Sequence, residues 1–244
     1  NGNQDNQRNI SKREVNSMSK GQTFLVIDTE TTMSDTIADF GAVVVNRNGK
    51  ILDSCATLVM DHFTKLPLFY DPEALPKDLW SKESAKIRRK GYKKMLKTGT
   101  RSISSVNKIN AWIAGVMGRY NPTLTAYNLS FDWSKMGNTG INLNLFNERF
   151  CLCNAARNLI YKKDPKFTDF ALANGFVTPK GKASCSADAV SHYVLGMDTP
   201  AEPHTAIEDA RDYEVPILIY LLRRNSRKIV MENGEGNCNW RDRG

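Results

Sequence analysis

Apolar and polar positions alternate in short blocks along this chain, and the first block organises the rest. Residues 23–32 set Phe24, Leu25, Val26 and Ile27 directly before Asp28 and Glu30. Such a run, rich in β-branched side chains, predicts a short buried strand. Carboxylates at i and i+2 then share one face where that strand leaves its sheet. Two further apolar runs, residues 39–46 and 51–60, are joined by Asn46-Arg47-Asn48-Gly49-Lys50, which has hairpin chemistry. Three strands in meander order form the start of one sheet.

Residues 61–101 make a long connection containing Pro67, Pro72 and Pro76, and its second half is expected to be helical. Ser102 or Ser104 is expected to cap a helix reaching about Met117, with Val106, Ile109, Trp112 or Ile113, and Val116 on its apolar face. Pro122 ends that helix, and residues 123–126 read as a strand. Asn128 to Trp133 then turns into another helix. Residues 150–153 read as a strand, and 167–174 and 187–195 as short helices, with Gly175 and Gly196 where C-caps belong. Thr205-Ala206-Ile207-Glu208 fits a capping box. It would open a helix to about Arg224, kinked at Pro216. His204 then lies in the loop before this helix and Asp209 in its first turn, so the imidazole is free to lean over the same site as Asp209. Residues 1–20 are expected to be a mobile polar tail and 227–244 a C-terminal tail. No internal repeat or second domain is apparent.

Composition changes this picture in two ways. The 244 residues are 41% hydrophobic and 25% charged, ordinary for a globular protein. The longest apolar run, residues 217–222, is too short for a bilayer, and the first twenty residues lack an apolar leader core. Five cysteines without a dense framework suit a reducing compartment, so a cytoplasmic location and no membrane partner are expected. The Cys151 and Cys153 pair lacks a second pair at zinc-site spacing and reads as strand. Net charge is +8, and residues 82–101 carry all of it, with nine basic side chains against Glu83. A concentrated positive segment predicts a polyanionic partner. Arg88, Arg89, Lys93 and Lys94 are its candidate phosphate contacts. Tyr70, Trp80 and Tyr92 are candidate stacking surfaces, with core packing the alternative for at least one of them. The alternative for the segment as a whole is a solvated helix face.

The motifs D-x-E (Asp28, Glu30), N-x-x-x-D (Asn128, Asp132) and H-x-x-x-x-D (His204, Asp209) occur in this order. Together they resemble the three motifs of the DEDDh superfamily of 3′→5′ exonucleases, over about residues 23–225. That group includes the proofreading subunit of bacterial replicative polymerase and oligoribonuclease. The tyrosine-bearing sister group is disfavoured, because Thr205 stands four residues before Asp209. The resemblance implies an RNase H-like α/β fold over residues 21–226: a mixed five-stranded sheet flanked by helices, with residues 61–101 as a basic insertion after the third strand. It implies two Mg²⁺ or Mn²⁺ ions held by Asp28, Glu30, Asp132 and Asp209, with His204 as general base. Asp212 is expected to be a helix-surface acid, and Asn128 to shape its turn. The chemistry agrees: phosphodiester hydrolysis needs an activated water and a stabilised leaving oxygen, which two hard cations about 4 Å apart supply. The expected substrates are single-stranded DNA or RNA 3′ ends, cut to 5′-mononucleotides. A polymerase or repair partner, or a non-catalytic binding module of the same fold, are the rival roles.

Overall fold

The computed structural model describes residues 23–69, 82–200 and 202–236. Residues 1–20, Tyr70 and Trp80 lie outside them. The described chain is an α/β structure: a six-stranded mixed sheet in the order β4-β3-β2-β1-β5-β6, flanked by helices.

β1 (Thr23–Thr31) is central, antiparallel to β2 (Ile37–Asn46) and parallel to β5 (Thr123–Ala126). Its position explains the apolar run. A strand covered on both faces has no solvent side to alternate toward, and Phe24 to Ile27 are all buried. Each such side chain stabilises the fold by roughly 1.5–3 kcal/mol through burial. β3 (Ile51–Val59) returns antiparallel to β2 through the predicted hairpin. Asn46 Oδ1 accepts from the Asn48 and Lys50 N–H groups at 2.9 and 3.0 Å, and Gly49 takes a left-handed φ of 83°. After β3 come α1 (Met60–Lys65) and the basic helix α2 (Lys82–Thr98), so the second half of the long connection is helical as expected.

The sixth strand corrects the sequence reading. Ser102–Ser104, expected to begin a helix, instead forms β4 parallel to β3, with Ser102 opposite Thr57. The Thr57 hydroxyl donates to the Ser102 carbonyl at 3.2 Å. Three residues are too few for a periodicity to declare itself. The cap moves to Ser105, whose side chain accepts from the Lys108 N–H, and α3 runs from Val106 to Tyr120. After β5, Asn128 in the left-handed region turns the chain into α4 (Leu129–Thr139).

β6 (Arg149–Cys151) is shorter than predicted, because Cys153 belongs to the next helix, α5 (Leu152–Ala156). Both residues are buried, and a short apolar run does not distinguish strand from buried helix. α6 (Pro165–Ala173) and α7 (Ala187–Leu195) stand where predicted.

The last helix is three consecutive segments: α8 (Ala206–Glu208), a π-helical turn (Asp209–Glu214) and α9 (Val215–Arg224). Pro216 lacks an N–H and its ring would strike the carbonyl four residues back in an α-helix. A π-helical turn stands immediately before it, where the sequence leads one to expect a kink. The capping box does not form. Thr205 is the N-cap residue but its side chain makes no capping bond, and Glu208 reaches to Arg101 instead.

Residues 227–233, placed in the tail by the sequence, form α10 (Arg227–Asn233), with Val230 buried. The Gly234 carbonyl then accepts from the Cys151 N–H at 2.8 Å along the free edge of β6. No helix among the described residues is long and apolar enough to cross a membrane.

Candidate active site

β1 delivers Asp28 and Glu30 to one face, opposite Gly41 and Asp39 of β2. Gly41 is required there. A Cβ on it would lie 2.2 Å from the Ala206 carbonyl carbon, so only a glycine lets the start of α8 rest on the sheet beside Asp28. Asp39 fixes that contact. Its buried carboxylate accepts the Ala206 N–H at 3.1 Å and is gripped by Arg101 at 3.0 Å. Burial pushes the Asp39 carboxyl up and Arg101 draws it back. Arg101 also bonds Glu208 at 3.1 Å, so one buried guanidinium ties β2 to α8. Asp209 is positioned by this anchor, and sequence spacing gave no sign of it.

His204 sits in the loop before α8 with a left-handed φ of 52°. Glu30, His204 and Asp209 each offer a ligand atom, all within 4.8 Å of one another. Asp132 arrives from the first turn of α4, buried, accepting from the Thr29 hydroxyl at 2.8 Å. Asn128 shapes that turn (φ 72°), and its Oδ1 accepts from the Ser130 hydroxyl. Asp212 is exposed and paired with Arg211. The structure therefore brings Asp28, Glu30, His204 and Asp209 to one cavity of about 190 Å³; Asp132 does not line it but lies near enough to Asp28 to raise its carboxyl.

The electrostatics are those of anions held together. Burial, then the neighbouring Asp132, Glu214, Asp209 and Glu30, push the Asp28 carboxyl well above the usual carboxylate range. Burial raises Asp132 to about 7, against the opposing Thr29 hydrogen bond. Burial and the nearby Glu202 and Glu30 raise Asp209 to about 9. Asp209 Oδ1 is buried with no hydrogen-bond partner among the described residues. Buried carboxylates crowded in this way are stable as anions only beside a cation. A cavity lined chiefly by carboxylates, with the His204 imidazole within 4.8 Å of Glu30 and Asp209, suits divalent ions such as Mg²⁺ or Mn²⁺, so the residues fit the implied metals.

Sequence spacing missed Glu214, Glu202 and Asp188, which line the same cavity. Glu214 follows Asp209 by five residues, which in an α-helix leaves the two side chains roughly 140° apart. Pro216 marks a distorted helix, but it does not say which residues the distortion brings together.

The basic helix divides into two groups. Arg88 Nη1 donates to Glu30 Oε2 at 2.9 Å and to the Phe69 carbonyl at 3.2 Å. Arg89 donates to the Phe63 and Leu66 carbonyls and lies over the Phe63 ring. Tyr92 is buried edge-on against Phe63, so core packing, rather than base stacking, is its role. Lys90, Lys93, Lys94 and Lys97 are exposed. Of the four candidate phosphate contacts, Arg88 and Arg89 have partners within the chain, while Lys93 and Lys94 face solvent.

No protein-family model matches the chain, and no curated protein is significantly similar to it.

Proposed function

We propose that this chain is a divalent-metal-dependent 3′→5′ exonuclease with an RNase H-like fold, acting on single-stranded DNA or RNA ends and releasing 5′-mononucleotides. The observation that carries the reading is the convergence of Asp28, Glu30, His204 and Asp209 on one cavity, with Asp132 close enough to influence Asp28. They come from three separate parts of the chain, with Asp132 and Asp209 buried and Asp28, Glu30 and His204 half-buried.

Asp28, Glu30, Asp132 and Asp209 would hold two Mg²⁺ or Mn²⁺ ions. When bound, such ions supply an activated water and stabilise the leaving oxygen. The chain's own contribution is orientation and proton transfer. The Asp39–Arg101–Glu208 anchor holds Asp209, and the Thr29 hydroxyl fixes the Asp132 carboxylate. His204, outside the helix and within 4.8 Å of ligand atoms of both Glu30 and Asp209, would accept the water's proton on an imidazole nitrogen. Exposed Lys93 and Lys94 would meet backbone phosphates without reading sequence.

The test is digestion of 5′-labelled DNA and RNA oligonucleotides with Mg²⁺ or with EDTA. The expected result is a ladder shortening from the 3′ end, present with Mg²⁺ and abolished by EDTA. Intact substrate, or degradation indifferent to EDTA, would overturn the reading.

A further inference from the structure

Glu214 belongs to none of the three motifs, yet it is built into the same cavity. It is 3% exposed. Its Oε1 accepts the Tyr127 N–H at 3.0 Å, at the end of β5. Its Oε2 is buried with no hydrogen-bond partner among the described residues, and the residue lines the cavity beside Asp28 and Asp209. A carboxylate oxygen left without a donor in a buried site costs stability, more for a charged group than for a neutral one. One such oxygen among other acids, on a side chain already anchored at its other oxygen, points to a cation.

The local backbone supports this. Over Asp209–Glu214 the helix is of π type, with hydrogen bonds closing five residues on, and such turns occur frequently at functional sites. Closing at five residues brings the first and last side chains of the segment to one side, where an α-helix would part them. The distortion therefore places a second acid of the same helix in the cavity.

We infer that Glu214 is a fifth carboxylate of the divalent-ion centre, contributing its charge through Oε2 to a cation held in the cavity that Asp28 and Asp209 also line. The inference rests on the metal-dependent reading above, and its test does not use activity. Glu214→Gln keeps an acceptor for the Tyr127 N–H and removes only the charge. Mn²⁺ binding is followed by the paramagnetic resonance of free Mn²⁺, and melting temperature is measured in EDTA, for wild type, Glu214→Gln, Glu214→Asp and Asp28→Asn.

Glu214→Gln is expected to bind Mn²⁺ at least tenfold more weakly while melting no lower than wild type in EDTA, since a buried repulsion has gone. Glu214→Asp, which keeps the charge on a shorter arm, should bind more tightly than Glu214→Gln. Wild-type affinity in Glu214→Gln, or equal affinities in the Gln and Asp variants, would overturn the inference and leave Glu214 as a tether for Tyr127. If Asp28→Asn loses Mn²⁺ and Glu214→Gln keeps it, only the fifth carboxylate falls. If the wild type binds no Mn²⁺, the metal-dependent reading falls with it.

Discussion

The acidic end of β1 and the basic helix α2 are joined by the Arg88–Glu30 ion pair, yet they concentrate charge on opposite terms. Around the cavity, buried Asp132, Asp209 and Glu214 and half-buried Asp28 are crowded together, and each is pushed above the usual carboxylate range. On α2, Lys90, Lys93, Lys94 and Lys97 are spread over an exposed face. Solvent screens the second arrangement, so it costs little and is weak evidence of a task. Water does not relieve the first, which is relieved by protons, as the raised carboxyls show, or by a bound cation. Concentrated charge is informative in proportion to its burial.

His204 gives the sharpest break between the two regions. His204→Ala should lower turnover by about 10²–10⁴-fold and leave Mn²⁺ affinity close to wild type. The shape of the pH–rate profile should change with it. An unchanged profile in a variant that still turns over would assign the proton transfer to another group.

Gly41→Ala should act through the fold. Its Cβ would collide with the Ala206 backbone, and overpacking of this kind costs about 1–3 kcal/mol. A lower melting temperature and a matching loss of activity are expected. A melting curve identical to wild type would mean that α8 does not rest on β2 as described.

The pH dependence of stability separates the regions directly. Asp132 lies at about 7 and Asp209 at about 9 in the folded chain, against roughly 4 for an aspartate in an unfolded chain. Between those values the folded form holds more protons than the unfolded form, so its stability falls as pH rises. In EDTA the contribution is fully present below about pH 4 and lost by about pH 9. Mg²⁺ should flatten the decline. A melting temperature that rises with pH across this window in EDTA would contradict the crowding of acids.

The smallest effects belong to α2. Changing Lys93 and Lys94 to Gln should flatten the slope of log K against log salt by roughly 0.7 for each phosphate they neutralise on a single strand. Arg89→Gln should leave that slope alone and lower the melting temperature, because Arg89 holds the Phe63 and Leu66 carbonyls. Salt slopes unaffected by the lysine pair would return α2 to a solvated face.

The same contrast explains what was legible beforehand. Strand parity alone placed Asp28 with Glu30, turn chemistry placed Asn128, and a helix start put His204 outside and Asp209 inside; these are local rules. The Asp39–Arg101–Glu208 anchor joins positions far apart in sequence, and Arg101 counted only as one more positive charge. Ser102–Ser104 became a strand because the edge of β3 was open, and nothing in three residues says so. Glu214 was hidden because a helix of unbroken α phase turns it away from Asp209. Along α2, charge composition did not reveal that Arg88 and Arg89 face the protein while Lys93 and Lys94 do not.

The most direct measurement of the central claim is Mg²⁺-dependent digestion of a 5′-labelled single strand by wild type and Asp28→Asn, side by side, with circular dichroism of both. Asp28→Asn keeps the shape of the side chain and removes the charge at the centre of the cluster. The expected result is a fall in rate of several orders of magnitude with an unchanged dichroism spectrum. A correctly folded Asp28→Asn that digests the strand at close to the wild-type rate would contradict the assignment of this cavity as a metal-dependent catalytic centre.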